Sequence, residues 1–532
     1  MEHKAIRFNE SGYVFVKQIG QGRHGMMKLA KRRSTDIVKH TTAKLDTAGS
    51  KQPVSQFVAV QVVQRFATGR DRVETELLSA KESSSALLRQ VEALRTLDHP
   101  NIQREITALE GECQMYIVME LYTGGDLLQK EHAPVEEERA AALVYQICAA
   151  MAHAQMKGIV HQDLRPENVH YATSSADARL VVTDWACVEF LASPPKESRQ
   201  HLIVTEYSAP ELVPHVRTDR SDMWSVGAMA FALLAFAMPF GQHSTRSRPA
   251  DFLWCDTDPK VSPECRDFIE SLLRINPAAR LSASHALRHP WLAKARDRRH
   301  NGGRVALPRP VATSLLRFKD SSDFRRTASA IAASHLSGEI LQDLTRQFEM
   351  LDEDGDGLVP TGAVINALSA TLDSLGEVRP GEVLSEGDLE LQDDLSVLLS
   401  SHARATALVS LMDTDGDGNV SYTDFLAAGA HSRVLDDTAL CWEVFRSFDL
   451  NGNGSVSRRE LQDILDTPAV EGLFDRKWKK GLLVFSTKSE LKGPLAELGG
   501  SCVSVDEIFK VADDNADHKV TFQEFSKLLS RS

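Results

Sequence analysis

The sequence predicts an α+β fold of two lobes followed by an all-α region, and the expectation rests on three patterns along its 532 residues. Strand-like alternation fills Tyr13 to Leu29, Phe57 to Val63 and Tyr116 to Leu121, which describes a small β-rich lobe at the start. Helical apolar spacing then dominates Glu136 to Met156 and Asp222 to Phe236, the signature of a larger helical lobe. Further on, a D-x-[DN]-x-[DN] loop recurs near residues 352, 413, 449 and 513, and helices with apolar anchors such as Phe348, Leu351, Phe445 and Phe448 precede it. With 42% hydrophobic residues, the chain can fill two to four cores at about 100–200 residues per domain.

Acidic residues outnumber basic ones, 74 to 61, and the net charge is −13. That balance argues against nucleic acid and suits cations. Seven cysteines (Cys113, Cys148, Cys187, Cys255, Cys265, Cys441, Cys502) form no CxxC pair, which fits packing in a reducing compartment better than a disulfide framework. The N-terminus Met1-Glu2-His3-Lys4 carries no apolar signal stretch, and Glu2 stands where N-myristoylation needs glycine. The longest apolar run, Val226 to Phe240, is interrupted by Gly227 and Pro239. A soluble cytoplasmic protein, with the nucleus as an alternative, is therefore expected. Ser34 to Ser55 reads as an exposed polar insertion, and Arg296 to Pro310, basic with Gly302-Gly303, as a linker.

Gly20, Gly22 and Gly25 make a GxGxxG turn directly after a strand pattern, where missing side chains let backbone N–H groups approach phosphates. Downstream, His161-Gln162-Asp163-Leu164-Arg165-Pro166-Glu167-Asn168 follows a helix, and the apolar run Leu180-Val181-Val182 leads into Thr183-Asp184-Trp185-Ala186. Next come Tyr207-Ser208-Ala209-Pro210-Glu211, Asp222-Met223-Trp224-Ser225-Val226-Gly227, Asn276-Pro277-Ala278-Ala279-Arg280-Leu281 and His289-Pro290-Trp291-Leu292. On these blocks, residues 13–292 resemble a serine/threonine protein kinase. The resemblance implies a bilobal protein-kinase fold using magnesium and ATP. Asp163 matches the catalytic-loop base, Asn168 and Asp184 the magnesium ligands, and Glu211 with Arg280 a buried pair bracing the large lobe. Ala59 and Gln61 fall on the nucleotide-facing strand, and Glu120 and Tyr122 on the segment that would meet the adenine edge.

Departures from that pattern cluster at the phosphate site. The strand that usually reads VAIK is Val58-Ala59-Val60-Gln61, so a neutral amide replaces the phosphate-gripping lysine, and its usual helical glutamate partner is Gln90. A lost charge contact near 4 Å costs about 4 kcal/mol at an effective dielectric of about 20. That is about a thousandfold in rate if felt fully in the transition state. Lys28 and Lys31 alternate with Met27 and Leu29 and are expected to point outward. Gln162 replaces an arginine, Ala186 a glycine, and Leu202-Ile203-Val204 the usual Gly-Thr brace. Two readings stay open: a pseudokinase or weak kinase, and an active enzyme with an atypical ATP site.

The repeated loop is an EF-hand, which takes oxygen ligands at positions 1, 3, 5, 7, 9 and 12, with a bidentate glutamate at 12 and a φ-permissive residue at 6. The third copy, with Asp449, Asn451, Asn453, Ser455 and Glu460, meets every requirement. The second, with Asp413, Asp415, Asp417, Asn419 and Asp424, ends one methylene short. In the fourth, Asp513, Asn515, Asp517, Lys519 and Glu524 are in place, but His518 holds the glycine position. The first has Asp352, Asp354 and Asp356 but ends in Ala363, so a paired, weak site is expected there. Two to four calcium ions follow from this ranking. Val359, Val420, Val456 and Val520 at position 8 are expected to couple the loops in pairs.

Between the modules, Leu315-Leu316-Arg317-Phe318 and Phe324-Arg325-Arg326-Thr327-Ala328-Ser329-Ala330-Ile331 combine apolar anchors with a basic face, suited to a calmodulin-type groove. Nearly the entire chain after residue 12 thus resembles the calcium-dependent protein kinases of plants and protists, with a wide spacing of about 60 residues inside each loop pair. The resemblance implies a tail (1–12), a kinase domain (13–292), a linker and autoinhibitory junction helix (293–339, helix 313–336) and an all-α calmodulin-like EF-hand region (340–532). It also implies that the junction helix obstructs the cleft at resting calcium and is captured by filled EF-hands.

Overall fold

The computed structural model describes residues 13–22, 25–32, 57–64, 91–185, 189–190, 205–212, 218–240, 254, 259–300, 306–376, 405–461 and 509–530, with short gaps inside some of these. Five strands build the first lobe: β1 (Tyr13–Gly22), β2 (Gly25–Arg32), β3 (Phe57–Gln64), β4 (Glu105–Glu110) and β5 (Gln114–Met119). They form one antiparallel sheet in the order β1-β2-β3-β5-β4. Strand alternation sorts its side chains into two sets. Val58, Val60 and Val62 join Tyr13, Ala30, Ile106 and Val118 in one apolar cluster, whereas Ile117 and Met119 lie in another with Met27 against it. Gly25 is required by packing, because a methyl there would run into the Val62 carbonyl.

The second lobe is built around α2 (Glu137–Met156), which follows the short α1 (Leu127–Lys130). Glu137 and Glu138 in its first turn and His153 in its last suit the helix dipole, and nearly the whole length from Ala140 to Ala154 is buried. A helix apolar all round belongs in the middle of a lobe, and α2 packs on α3 (Ser221–Ala235), α5 (Ala283–Leu287) and α6 (Pro290–His300). α4 (Pro263–Leu272) begins at Ser262, whose hydroxyl accepts from Cys265 N at 3.1 Å. Between α2 and α3, β6 (Ile159–Val160) pairs with β9 (Glu189–Phe190), and β7 (Val169–Tyr171) with β8 (Leu180–Val182). Glu211 and Arg280 meet in a bidentate pair at 2.6 and 2.7 Å, as expected, and the Arg280 guanidinium lies over Trp224.

The stretch expected as a linker, Arg296 to Pro310, is largely helical at both ends. Residues 296–300 extend α6, and Arg309-Pro310 open α7 (Arg309–Asp320), because proline is tolerated in a first helical turn. The single junction helix expected over 313–336 is in fact two, α7 and α8 (Asp323–His335), with Ser321 in extended conformation after α7. Beyond them come α9 (Gly338–Leu351), β10 (Leu358–Pro360), α10 (Thr361–Gly376), β11 (Asn419–Ser421), α11 (Tyr422–Asp436) and α12 (Thr438–Phe448). β12 (Ser455–Ser457), β13 (Lys519–Thr521) and α13 (Phe522–Ser530) complete the described chain. Val359 pairs with Val420 and Val456 with Val520, so the loops couple first with second and third with fourth.

α7 and α8 share one core with the EF-hand helices. Leu315, Phe318, Ala328 and Ile331 are buried in the same cluster as Phe348, Phe425, Phe445 and Phe525. The junction helices are thus packed into the EF-hand core among the described residues. Ser34 to Ser55, Gln90, Ala186, Leu202 to Val204, Asp415 and Asn451 lie outside the described residues. Among the described residues, no helix is long and apolar enough to cross a membrane. Cys148, Cys265 and Cys441 are buried free thiols there.

Candidate functional site

The cleft residues converge through backbone pairing. Thr183 N donates to the Asn168 carbonyl at 2.8 Å, which ties the segment carrying Asp184 to the catalytic-loop sequence. The Asn168 side chain donates to the Asp163 carbonyl at 2.7 Å and to its carboxylate at 3.3 Å. Asp222, fully buried, accepts from His161 N and Gln162 N at 2.8 Å each, and burial pushes its carboxyl above the usual range. These two bonds hold Gln162 in a left-handed conformation (φ 69°), and Asp184 is also left-handed (φ 60°). Backbone pairing thus brings the segments carrying Asp163, Asn168 and Asp184 side by side.

Gln61 sits on β3 opposite Met27 and Ile117. It is 5% exposed, and its Oε1 has no hydrogen-bond partner. Lys28 is opposite Val60, on the other face of the sheet, where its ammonium stacks 4.4 Å over the Phe15 ring. Lys31 lies at the far end of β2 beside Phe57. Alternation puts only Lys28 on the opposite face; Lys31, expected to point outward, shares the face of Met27 and Gln61 and is kept from Gln61 by its distance along the strand. Ala59 is buried one pleat away on the same face as Gln61.

Glu120 and Tyr122 engage charged neighbours that sequence reasoning missed. Glu120 lies 3.5 Å from Arg179 and 3.7 Å from Arg104, and the Tyr122 hydroxyl accepts from Arg104 N at 3.2 Å. Gln103 was missed as well: its carboxamide oxygen accepts from Asp184 N at 2.9 Å, and its amide meets the Met119 sulfur. Arg165 Nε lies 3.6 Å from the Asp163 carboxylate. A polar Gln103 directly after Ile102 in a strand-bound stretch is the signal that could have revealed the second of these.

In the third EF-hand loop, Asp449 accepts from Asn453 N and Gly454 N, and Glu460 from Ser457 N and its hydroxyl. Both carboxylates are buried, and Ser455 donates to Asn453. This all-oxygen set fits calcium. The fourth loop repeats it, with Asp513 accepting from Asp517 N and His518 N, and Glu524 from Thr521. Asn515 accepts from Asp517 N, and Asp517 from Lys519 N. His518 takes φ 61°, the strained conformation its position demands. In the second, Asp413 accepts from Asp417 N and Gly418 N, Asp417 from Asn419 N, and the shorter Asp424 carboxylate from the Ser421 hydroxyl. In the first loop, the oxygens of Asp352, Asp354 and Asp356 lie within 4.8 Å of one another. Burial, with Asp356 and Asp354 nearby, holds the Asp352 carboxyl well above its usual range. Ala363 offers no side-chain oxygen at position 12, so the fit to calcium is incomplete there.

The segment Asp98 to Arg104 is one of the places where the EF-hand unit is seated on the kinase lobes. Asp98 accepts from Thr423 N at 2.9 Å and from its hydroxyl at 2.8 Å, capping the first turn of α11. Arg104 donates to the Ala333 carbonyl at 2.8 Å and to that of Leu336, at the C-terminal end of α8. An acid at a helix start and a base at a helix end both complement the helix dipole.

Comparison with known proteins agrees with this architecture. Residues 13–292 match the family model described as "Protein kinase domain", and residues 438–530 the "EF-hand domain pair". Calcium-dependent protein kinase 5 of Plasmodium berghei is 27% identical over 389 residues, which cover 71% of this chain and 64% of that protein, a little under two thirds of its length. Calcium-dependent protein kinase 34 of Arabidopsis thaliana is 26% identical over 469 residues, 86% of this chain and 78% of that protein. Calcium-dependent protein kinase 16 of rice, Oryza sativa, is 27% identical over 415 residues, 74% and 70% respectively. A kinase domain works with magnesium and ATP, and an EF-hand pair with calcium. With a β-sheet lobe, a helical lobe and a helical EF-hand region in this order, the chain belongs to the protein kinase family, and to its calcium-dependent type.

Proposed function

We propose that this chain is a calcium-regulated serine/threonine kinase-like protein in which phosphotransfer is weak or lost. The observation that carries the reading is Gln61, buried on β3 with Oε1 unbonded, while Lys28 lies across the sheet. In the proposed roles, Asp163 receives the substrate hydroxyl proton, and Asn168 and Asp184 hold magnesium. Gly20, Gly22, Gly25 and Ala59 shape the nucleotide pocket, and the backbone of Glu120 and Tyr122 meets the adenine edge. When bound, magnesium–ATP supplies the transferable phosphoryl group. Gln61 offers that group an amide N–H in place of a cation, which leaves developing charge on the phosphates poorly balanced.

Calcium enters through the third and fourth loops, with the second as a weaker site. Ion binding biases how the α7–α8 junction engages the EF-hand core, because the loops bind calcium better in one arrangement than another. The reading also places the protein inside the cell, in keeping with buried free thiols.

A second reading, an active enzyme with an atypical ATP site, is favoured by the close assembly of Asp163, Asn168 and Asp184. Phosphotransfer by the purified chain, with calcium or chelator and with Asp184→Asn as blank, separates the two. Turnover at the blank level supports the first reading. Robust calcium-dependent turnover that Asp184→Asn abolishes establishes the second. Gln61→Lys is expected to raise the rate by up to about a thousandfold if the missing cation is the main lesion.

A further inference from the structure

We propose that the first EF-hand loop serves as a docking element for the kinase lobe, and that this docking does not require an ion in that loop. The four loops differ in what surrounds them. Gly418 and Gly454, at position 6 of the second and third loops, are exposed, and a methyl on either would meet open space. His518, at the same position of the fourth, is exposed too. Gly357, at position 6 of the first, is buried, and a methyl there would lie 2.5 Å from His99 and 2.9 Å from His153. Gly355, two residues earlier, is also buried, and a methyl there would lie 2.6 Å from the Tyr145 hydroxyl.

The kinase side receives the loop's backbone. His153 Nδ1 lies 2.8 Å from the Asp356 carbonyl, and His99 Nε2 lies 3.4 Å from that of Gly355. The two rings are neighbours, 5.5 Å between centroids, and His153 Nε2 accepts from Asp98 N at 3.2 Å. A carbonyl facing an imidazole N–H fixes both, since each would otherwise be buried unpaired. The contacted carbonyls belong to positions 4 and 5, whereas an EF-hand gives the ion its position 7 carbonyl. Docking and ion binding therefore use different atoms of the loop. Ala363 removes the bidentate ligand that the ion needs, while the glycines and carbonyls that the kinase lobe needs are all present. The loop's glycines act here as a flat surface against which histidine and tyrosine side chains can close.

This goes beyond the kinase reading and does not rest on phosphotransfer. The test is hydrogen exchange by the full-length chain in calcium, with each substitution read on the partner that it leaves unaltered. Gly357→Ala is expected to speed exchange of the kinase turn Leu97–Gln103 by roughly tenfold or more, as a local opening set free from its dock. Gly418→Ala imposes the same left-handed strain (φ +86° against +85°) without the contact, and should leave that turn at the wild-type rate. Asp354→Ala, which removes an exposed ion ligand and touches no docking contact, should do the same. His153→Phe, read on Asp352–Leu358, should speed exchange of the loop. Unchanged peptides from α12 and α13 show that a variant is folded. Equal effects of Gly357→Ala and Gly418→Ala would assign the change to strain and overturn the proposal. So would loss of protection in Asp354→Ala, which would make the ion necessary, or a wild-type turn already exchanging at the rate of Gly357→Ala.

Discussion

Gln61 shows how much one position can carry. A lysine at this point of β3 would bring a charge and a reach toward phosphate, whereas the amide leaves Oε1 buried without a donor. An unsatisfied buried polar atom costs about 1–3 kcal/mol. Gln61→Met, similar in volume and without the orphan oxygen, is therefore expected to stabilise the nucleotide-free protein by about 1 kcal/mol, seen as a higher thermal midpoint. A lower midpoint would show that Gln61 is satisfied in solution. The identity of Gln61 was legible in the sequence because the strand pattern around it fixes its face. Its lack of a partner was not, since that depends on where Met27, Ile117 and Lys28 fall across the sheet. Gln103 makes the opposite point: an ordinary polar residue in sequence, it holds the backbone of Asp184 only because two distant segments meet.

At the scale of elements, the junction is where expectation and structure part. Apolar spacing located a helix with a basic face, and its anchors Leu315, Phe318 and Ile331 are indeed buried. Spacing alone did not reveal the break at Ser321, because the same period resumes on the far side of it. Both halves of the junction meet α11 at His431, whose Nδ1 lies 2.7 Å from the Ser329 hydroxyl and whose ring stands edge-on to Phe318. Burial lowers its pKa from 6.5 to about 4, and Arg325, Arg317 and Arg326 push the same way. Between those values the unfolded chain binds a proton that the folded one excludes, so stability is full above about 6.5 and falls as pH drops toward 4. His431→Asn is expected to flatten the dependence of the unfolding midpoint on pH in this window. An unchanged slope would remove His431 from the account. The position 8 valines behaved differently from the junction: a short strand with one apolar residue at a fixed loop position leaves little freedom, and their pairing followed the sequence.

For the whole molecule, the deciding contacts run between modules. Arg104 joins the C-terminal carbonyls of α8 to Glu120, which follows β5, so the junction and the first lobe share one guanidinium. Charge-assisted hydrogen bonds contribute about 1.5–3 kcal/mol each. Arg104→Ala is expected to loosen the seating of the EF-hand unit by about 2–3 kcal/mol, visible as a larger radius of gyration in solution scattering. An unchanged scattering profile would place the seating elsewhere, on Asp98 and the first loop.

The sequence by itself determined the two lobes, the family, and the four loops with the pairing of their position 8 valines. Each of these follows from short-range periodicity or from ligand spacing within a dozen residues. The tertiary structure decided what the segment Asp98 to Arg104 grips, which loop turns toward the kinase lobe and where the junction breaks. The first two outcomes come from residues more than 200 positions apart in the chain meeting in space, as Arg104 meets Ala333 and His153 meets Asp356. No local pattern records such meetings, because complementary shape and charge arise only once both surfaces are folded.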